Sequence, residues 1–459
     1  MQRARYNDIC MSTQEQTAPL IVVAFGITGD LMRHKILPAL FSLYAGGSIP
    51  QLVRIVGVSR QSWSSTQLQT YVATVIQEAF PSLSHIPDSF LHLFYFQQAD
   101  VYDDQSYEAF AKTLQYDSPC NILFYLSIAP ELYEPTLRRI SQLSRKHGEN
   151  DAFWTRILIE KPFGHDLMSA QALQQVIQGT FDTRQIYLVD HYLQKPISRQ
   201  LTAFRQAHPE LESIWNKEHI AEISIRLWET IGVEKRATFY DQTGALRDVG
   251  QNHVMQLLAL ITMDLPEQIS SLPQNRVAVI EQLALIPTER MHEHTYHAQY
   301  RTYREEIHMP SSRTETYFAL HTGIDSPRWR GTRILVDAGK RLPEVQKYIH
   351  VQFKKSEFVE IKQNIVPVQS IQFLLEGQEV ILNDSHHPMW SASMEHTDYE
   401  NIILDCIRGD QTFFVSMQEI LASWNFVDPI ERSWDQQIPP LASYEPGSAA
   451  LLPAPLQQK

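Results

Sequence analysis

Three short segments of this 459-residue chain gather ionisable side chains in an order that suits proton transfer and anion binding. The first is Ile159-Glu160-Lys161-Pro162-Phe163-Gly164 and the second is Val189-Asp190-His191-Tyr192-Leu193-Gln194-Lys195. The third runs from Tyr240 to His253 and includes Gly244, Arg247, Asp248, Gln251 and Asn252. Histidine titrates near neutrality and suits a general base. A carboxylate behind it would fix its tautomer and stabilise the imidazolium. Lysine, histidine and tyrosine are the donors that a phosphorylated ligand needs. Each segment also has a plainer reading. A lone histidine ahead of an apolar helix is usually a hydrogen-bonded core residue, and a Lys-Pro pair usually marks a turn. Their joint occurrence downstream of a glycine-rich turn favours a site.

That turn is Gly26-Ile27-Thr28-Gly29-Asp30-Leu31. It lies between an apolar run, Leu20–Phe25, and a segment of helical spacing, His34–Ala45, with Leu37, Leu40, Phe41 and Tyr44 on one face. In that context backbone amides can approach a pyrophosphate at a helix N-terminus. Ala24 stands where the usual glycine fingerprint has its first glycine, and a plain strand-to-helix turn is the competing reading. A second strand is predicted at Val53–Val58 and is followed by Arg60. An arginine there, in place of an acidic residue, suits the 2′-phosphate of NADP; a solvated surface arginine is the alternative.

The elements that would position these residues fall into two patterns. Apolar runs at Asn121–Ser127 and Arg156–Glu160 continue the alternation of strand and helix, which predicts an α/β parallel sheet with covering helices. After about residue 187 a helix is expected at Pro196–Ala207. Alternating runs then follow at Ala221–Trp228, Thr314–Thr322 and Lys347–Lys354, with late helices at Tyr399–Arg408 and Met417–Val427. This pattern predicts an α+β domain with a large antiparallel sheet. The expected organisation is a flexible segment over 1–19, a Rossmann domain over 20–187, a C-terminal domain over 188–448 and a loose tail over 449–459. Met11 is a candidate start.

Composition bounds the rest. Net charge is −13, which argues against nucleic acid or an anionic membrane as partner. Three scattered cysteines give no disulfide framework and no metal-ligand spacing. No apolar run is long enough to span a bilayer. The expectation is a cytoplasmic protein without a metal. His292, His294 and His297 invite a metal reading, but they lie in a polar stretch without nearby carboxylate or cysteine ligands. Met255, Leu257, Leu258 and Leu260 read as a buried helix face, and Trp154, Trp228, Trp329 and Trp424 as packing residues.

Taken together, the three segments resemble the signatures of the glucose-6-phosphate dehydrogenase family. Further matches, in order, are Gly26–Pro38, Asn121–Pro130, Arg313–Tyr317, Gly339–Leu342, Leu404–Thr412, Asp428–Ile430 and Gly447-Ser448. The resemblance covers nearly all of residues 20–450. It implies oxidation of glucose 6-phosphate to 6-phosphogluconolactone, with NADP as hydride acceptor, in the oxidative pentose phosphate pathway. It also implies a doubly wound α/β Rossmann unit, an α+β domain with a large antiparallel sheet, and a homodimer or homotetramer. By that resemblance His253 is the base and Asp190 its partner. His191, Tyr192 and Lys195 grip the phosphate, Glu229 and Asp248 accept from sugar hydroxyls, and Lys340 is a second substrate-side lysine. Lys161 lies near both substrate and nicotinamide, and Pro162 is a candidate for the cis form. Gly26, Thr28, Gly29, Asp30, Leu31, Arg60 and Lys161 make up the coenzyme set.

Several positions depart from the pattern. Leu188 stands for an arginine, Gln194 for a glycine, Pro196 for a glutamate and Gly250 for a bulky apolar residue. Asp337 stands for an arginine, which puts a second, structural coenzyme site in doubt. Val345 stands for a second cation, for which Lys347 would compensate only with a changed strand side or a shifted loop. Alternative readings are therefore a dehydrogenase of another aldose or aldose phosphate, or a catalytically weak NADP-binding regulatory paralogue.

Overall fold

The structure is a computed structural model that describes residues 19–49, 52–114, 120–146, 153–234, 237–361, 364–383, 385, 388–391 and 395–448. The expected flexible start, apart from Pro19, and the loose tail lie outside these residues. The chain divides into two compact units.

The first unit holds residues 1–163, 172–189 and 396–411. Its sheet has six strands: β1 (Leu20–Phe25), β2 (Leu52–Ser59), β3 (Phe94–Gln98), β4 (Asn121–Leu126), β5 (Thr155–Ile159) and β6 (Ile186–Leu188). They are ordered β3-β2-β1-β4-β5-β6, and every pairing is parallel. This is the doubly wound order, whose direction reverses between β1 and β4. All six residues of β1 and all six of β4 are buried, as continuous apolar runs in a two-sided parallel sheet require. β3 and β6 escaped the sequence reading because neither is a continuous apolar run of useful length.

The unit also takes in a segment from late in the chain. The helix Asp398–Arg408 belongs to it, packed against the helix Leu37–Ala45. Arg156, on β5, explains the attachment: its guanidinium donates to the carbonyls of Cys406 (2.8 Å) and Ile407 (2.5 Å) at the helix C-terminus. There a cation meets the negative end of the helix dipole.

The second unit holds residues 164–171, 190–395 and 412–459. Its sheet comprises β7 (Ile220–Trp228), β8 (Thr295–Tyr300), β9 (Tyr317–Thr322), β10 (Arg333–Gly339), β11 (Gln346–Ile361), β12 (Asn364–Leu374), β13 (Glu379–Leu382), β14 (Pro388–Ser391) and β15 (Ala442–Tyr444). The order is β14-β13-β12-β11-β7-β10-β9-β8-β15. The expected antiparallel sheet is in fact mixed, because β10 runs parallel to β7 and β15 parallel to β8. The long connection from β7 through several helices lets β10 enter beside β7 in the same direction, which no local alternation signals.

Helices of this unit include Pro196–Ala207, Met255–Thr262, Leu272–Ile280 and Met417–Asp435. Met255–Thr262 is buried on all sides, beyond the single face expected, and packs on Pro196–Ala207 and Leu272–Ile280. A fully buried ion pair ties the helices together: Arg276 Nε donates to Glu419 at 2.6 Å, and its other nitrogens donate to the carbonyls of Thr412 and Phe414. Each guanidinium edge is satisfied, which a buried charge requires.

Candidate active site

The second unit brings Asp190, His191, Tyr192 and His253 together. Asp190 opens the turns that follow the first unit's last strand, and Leu193 N–H returns to its carbonyl. His253 sits in Leu246–Val254, a π-helical stretch that runs into Met255–Thr262. His253 Nδ1 and Asp190 Oδ1 lie 2.6 Å apart, across 63 residues of chain. The same carboxylate oxygen accepts from Tyr192 N–H at 2.9 Å. Both side chains are nearly fully buried. A buried carboxylate on Nδ1 fixes the imidazole tautomer and directs Nε2 toward a proton to be taken.

Aromatic packing sets the ring plane. The Tyr192 ring stacks on His253 with centroids 4.2 Å apart, and the His191 ring meets it edge-on at 4.6 Å. Burial holds the proton on the Tyr192 phenol, reinforced by Glu229, Asp190, Glu376 and Asp248. Tyr192 therefore stays a neutral hydroxyl donor. Lys195 Nζ lies 5.1 Å from the Tyr192 ring centre, and the residue forms the N-cap of Pro196–Ala207.

Glu229 follows β7 and Lys340 follows β10, so the parallel pairing of those strands sets the two side by side: Lys340 Nζ is 2.6 Å from Glu229 Oε2. Partial burial works against the Glu229 carboxylate, but Lys340 and then Lys347 bring it below its ordinary range. Asp248 is buried on the His253 helix and opposes that lowering, so its charge reaches Glu229. Asp190, His191, Tyr192, Lys195, Glu229, Asp248, His253 and Lys340 thus all belong to one compact unit, linked by contact or by field.

Asp190, His191 and His253 also present potential metal-ligand atoms within 4.8 Å of one another. The trio His292, His294 and His297 does not converge in the same way. His297 is buried, stacks on Trp434 at 4.4 Å and meets the Pro439 carbonyl through Nε2. His294 packs on His321.

The coenzyme set belongs to the first unit. Gly26 ends β1 with φ +76°, and a Cβ there would collide with the Ser127 carbonyl beyond β4. Only glycine permits this approach of the β1 and β4 ends. Gly29 N–H bonds Gly26 O at 2.8 Å, closing the turn before Met32–Ile36 and Leu37–Ala45. Thr28, Gly29, Asp30 and Leu31 line the turn, at the point where strand order reverses. This is where the pyrophosphate of a dinucleotide fits such a sheet. Arg60 follows β2 with its side chain exposed. Lys161 follows β5, and the Lys161–Pro162 bond is cis. Glu160, given no role from sequence, anchors that loop: Tyr125 donates to its carboxylate and Tyr133 to its carbonyl, each at 2.6 Å.

The departures from the family pattern are each accommodated. Leu188 is buried in β6. Gln194 is buried, donates to the Phe413 carbonyl at 3.1 Å and accepts from Arg199 at 2.6 Å. Pro196 occupies the first turn of its helix, where it lacks no needed donor. Gly250 gives close packing: a Cβ would lie 2.6 Å from Leu246 and 2.9 Å from Phe318 side-chain atoms. Asp337 is buried and accepts from Arg226, Trp228 and Tyr317. Val345 is exposed and precedes β11, whereas Lys347, within β11, comes within 3.6 Å of Glu229.

Family models described as the NAD binding domain and the C-terminal domain of glucose-6-phosphate dehydrogenase match residues 23–220 and 202–454. The chain is 33% identical to a glucose-6-phosphate 1-dehydrogenase of Bacillus subtilis over 95% of its length and 96% of that protein. It is 32% identical to one of Chlamydia muridarum over 94% of its length and 93% of that protein. It is also similar to a solved glucose-6-phosphate dehydrogenase in complex with its substrate glucose-6-phosphate, at TM-score 0.80 and 25% identity, covering 96% of this chain and 97% of that one.

Proposed function

Because this chain belongs to the glucose-6-phosphate dehydrogenase family, we propose that it oxidises glucose 6-phosphate to 6-phosphogluconolactone, with NADP as the preferred coenzyme. The single observation that carries the reading is the 2.6 Å contact of His253 Nδ1 with Asp190. Nε2 of His253 removes the proton of the anomeric hydroxyl, and Asp190 stabilises the imidazolium that forms. When bound, NADP would supply the acceptor for the hydride that leaves the same carbon. Tyr192 donates its hydroxyl to the substrate phosphate, joined by His191 and Lys195. Glu229 and Asp248 accept from sugar hydroxyls, and Lys340 keeps Glu229 ionised for that task. Gly26, Thr28, Gly29, Asp30 and Leu31 would receive the pyrophosphate, Lys161 would serve the nicotinamide end, and Arg60 would hold the 2′-phosphate.

Assembly into a homodimer or homotetramer through the second unit and a cytoplasmic location complete the proposal. Among the described residues no helix is long and apolar enough to cross a membrane. The decisive experiment is a spectrophotometric assay for reduced coenzyme with glucose 6-phosphate, run with NADP and NAD separately. Galactose 6-phosphate and free glucose serve as comparators. Absence of turnover, or a preference for another sugar, would overturn the assignment.

A further inference from the structure

We propose that Gln194 is a positioning residue for the phosphorylated sugar: it fastens the turns that carry His191, Tyr192 and Lys195 to a fixed stretch of backbone at 412–414. This rests on the activity proposed above. The turns call for such a support. From Asp190 to Lys195 the backbone is held by three turn bonds that lengthen toward the lysine: Leu193 N–H to the Asp190 carbonyl at 3.1 Å, Gln194 N–H to that of His191 at 3.2 Å, and Lys195 N–H to that of Tyr192 at 3.3 Å. Lys195 then begins the helix Pro196–Ala207 with no side-chain cap, and Pro196 has no N–H to contribute.

Gln194 is buried, and both ends of its amide are used. Nε2 donates to the Phe413 carbonyl at 3.1 Å, and Oε1 accepts from the Arg199 guanidinium at 2.6 Å. Arg199 closes a clasp around Lys195. Its backbone N–H bonds the Lys195 carbonyl at 3.1 Å, while its side chain holds the residue before. The same guanidinium lies over the Phe413 ring, 4.5 Å from the ring centre. The Phe413 carbonyl is itself fixed from both sides, because those of Thr412 and Phe414 accept from Arg276, whose ion pair with Glu419 is fully buried. Three consecutive carbonyls thus meet buried side chains, and Gln194 takes the middle one. All these residues lie in the second unit. The glycine of the family pattern has neither the donor nor the acceptor for this brace. A fully satisfied buried network holds its members to one arrangement, and groups that grip a ligand need such support to keep their geometry.

The test compares wild type, Gln194→Ala, Arg199→Met, the double variant and Arg199→Lys by steady-state kinetics on glucose 6-phosphate and on free glucose, and by calorimetric titration of glucose 6-phosphate. Gln194→Ala and Arg199→Met should each raise KM and Kd for the phosphorylated sugar by roughly fivefold, the order of one net hydrogen bond, with kcat within about threefold. The ratio of efficiency on glucose 6-phosphate to that on free glucose should fall with it, because free glucose has no phosphate to place. The double variant should lose little more than either single one, as partners in one contact do. Arg199→Lys, which keeps a donor for Gln194, should recover most of the loss. Unaltered KM and Kd in folded variants overturn the inference, as does an equal loss on both sugars, which marks a general packing defect. If Gln194→Ala does not fold, Arg199→Met and Arg199→Lys decide by the same criteria. A wild-type protein that neither binds nor oxidises glucose 6-phosphate overturns the proposed activity and this inference with it, whereas an active wild type with insensitive variants overturns this inference alone.

Discussion

Gly244 and Glu315 share one space. A Cβ on Gly244 would fall against the buried Glu315 carboxylate, whose Oε1 accepts from Leu246 N–H at 2.9 Å. The Glu315 carbonyl also accepts from Ala245 N–H at 3.1 Å. The glutamate thus caps the start of the stretch that carries Asp248 and His253.

Gly244 has φ +75° and ψ 172°, a region that is essentially glycine's alone. Gly244→Ala should therefore lose about 1–3 kcal/mol from backbone strain, with more from displacing the carboxylate. Urea unfolding measures this. Turnover should fall as well, because the His253 helix loses its fixed start. A variant of wild-type stability would show that the carboxylate moves aside freely.

Burial raises the Glu315 carboxyl from its ordinary 4.5 to about 7. It faces the Arg247 guanidinium, the Glu431 carboxyl and the Tyr240 and Tyr303 phenols. A raised carboxyl binds more protons in the folded than in the unfolded chain. Its contribution is complete below pH 4.5 and is lost as pH climbs to about 7. Glu315→Gln stays neutral throughout. Across this window the Tm of the variant should gain on that of the wild type as pH rises. A constant Tm difference would refute the shift.

Loss of the base should separate turnover from binding. His253→Asn should lower kcat by roughly a hundredfold or more, with KM for glucose 6-phosphate nearly unchanged. Steady-state kinetics decides this, and near-normal turnover would remove His253 from the chemistry.

Coenzyme choice should depend on Arg60. Arg60→Ala should lower the efficiency with NADP relative to NAD, since the 2′-phosphate loses its cationic partner. An unchanged ratio would assign Arg60 to the solvated surface.

Local chemistry made much of the fold legible. β1 was read at its observed bounds, Leu20–Phe25, and so was the helix Pro196–Ala207. A buried parallel strand is a continuous apolar run closed by glycine, and a helix that opens on proline announces its own start. Other elements were less legible. β6 has three residues, too few for a periodicity, and the helix Met417–Asp435 runs through Pro429, which a sequence reading treats as a stop. Lys347 was named from sequence, but its approach to Glu229 depends on how β11 pairs with β7. Glu315 lies within the matched segment Arg313–Tyr317, but its role was not legible, since it depends on a glycine 71 residues earlier in the chain.

The sequence alone determined the two element patterns, the glycine turn and the ordered polar segments, because strand, helix and turn preferences act over a few residues. Tertiary structure decided which of those segments meet: Asp190 with His253, Glu229 with Lys340 and Lys347, and the helix Asp398–Arg408 with the first unit rather than the second. Such meetings depend on sheet register and on which faces pack, and these are fixed only when distant stretches of chain are buried together.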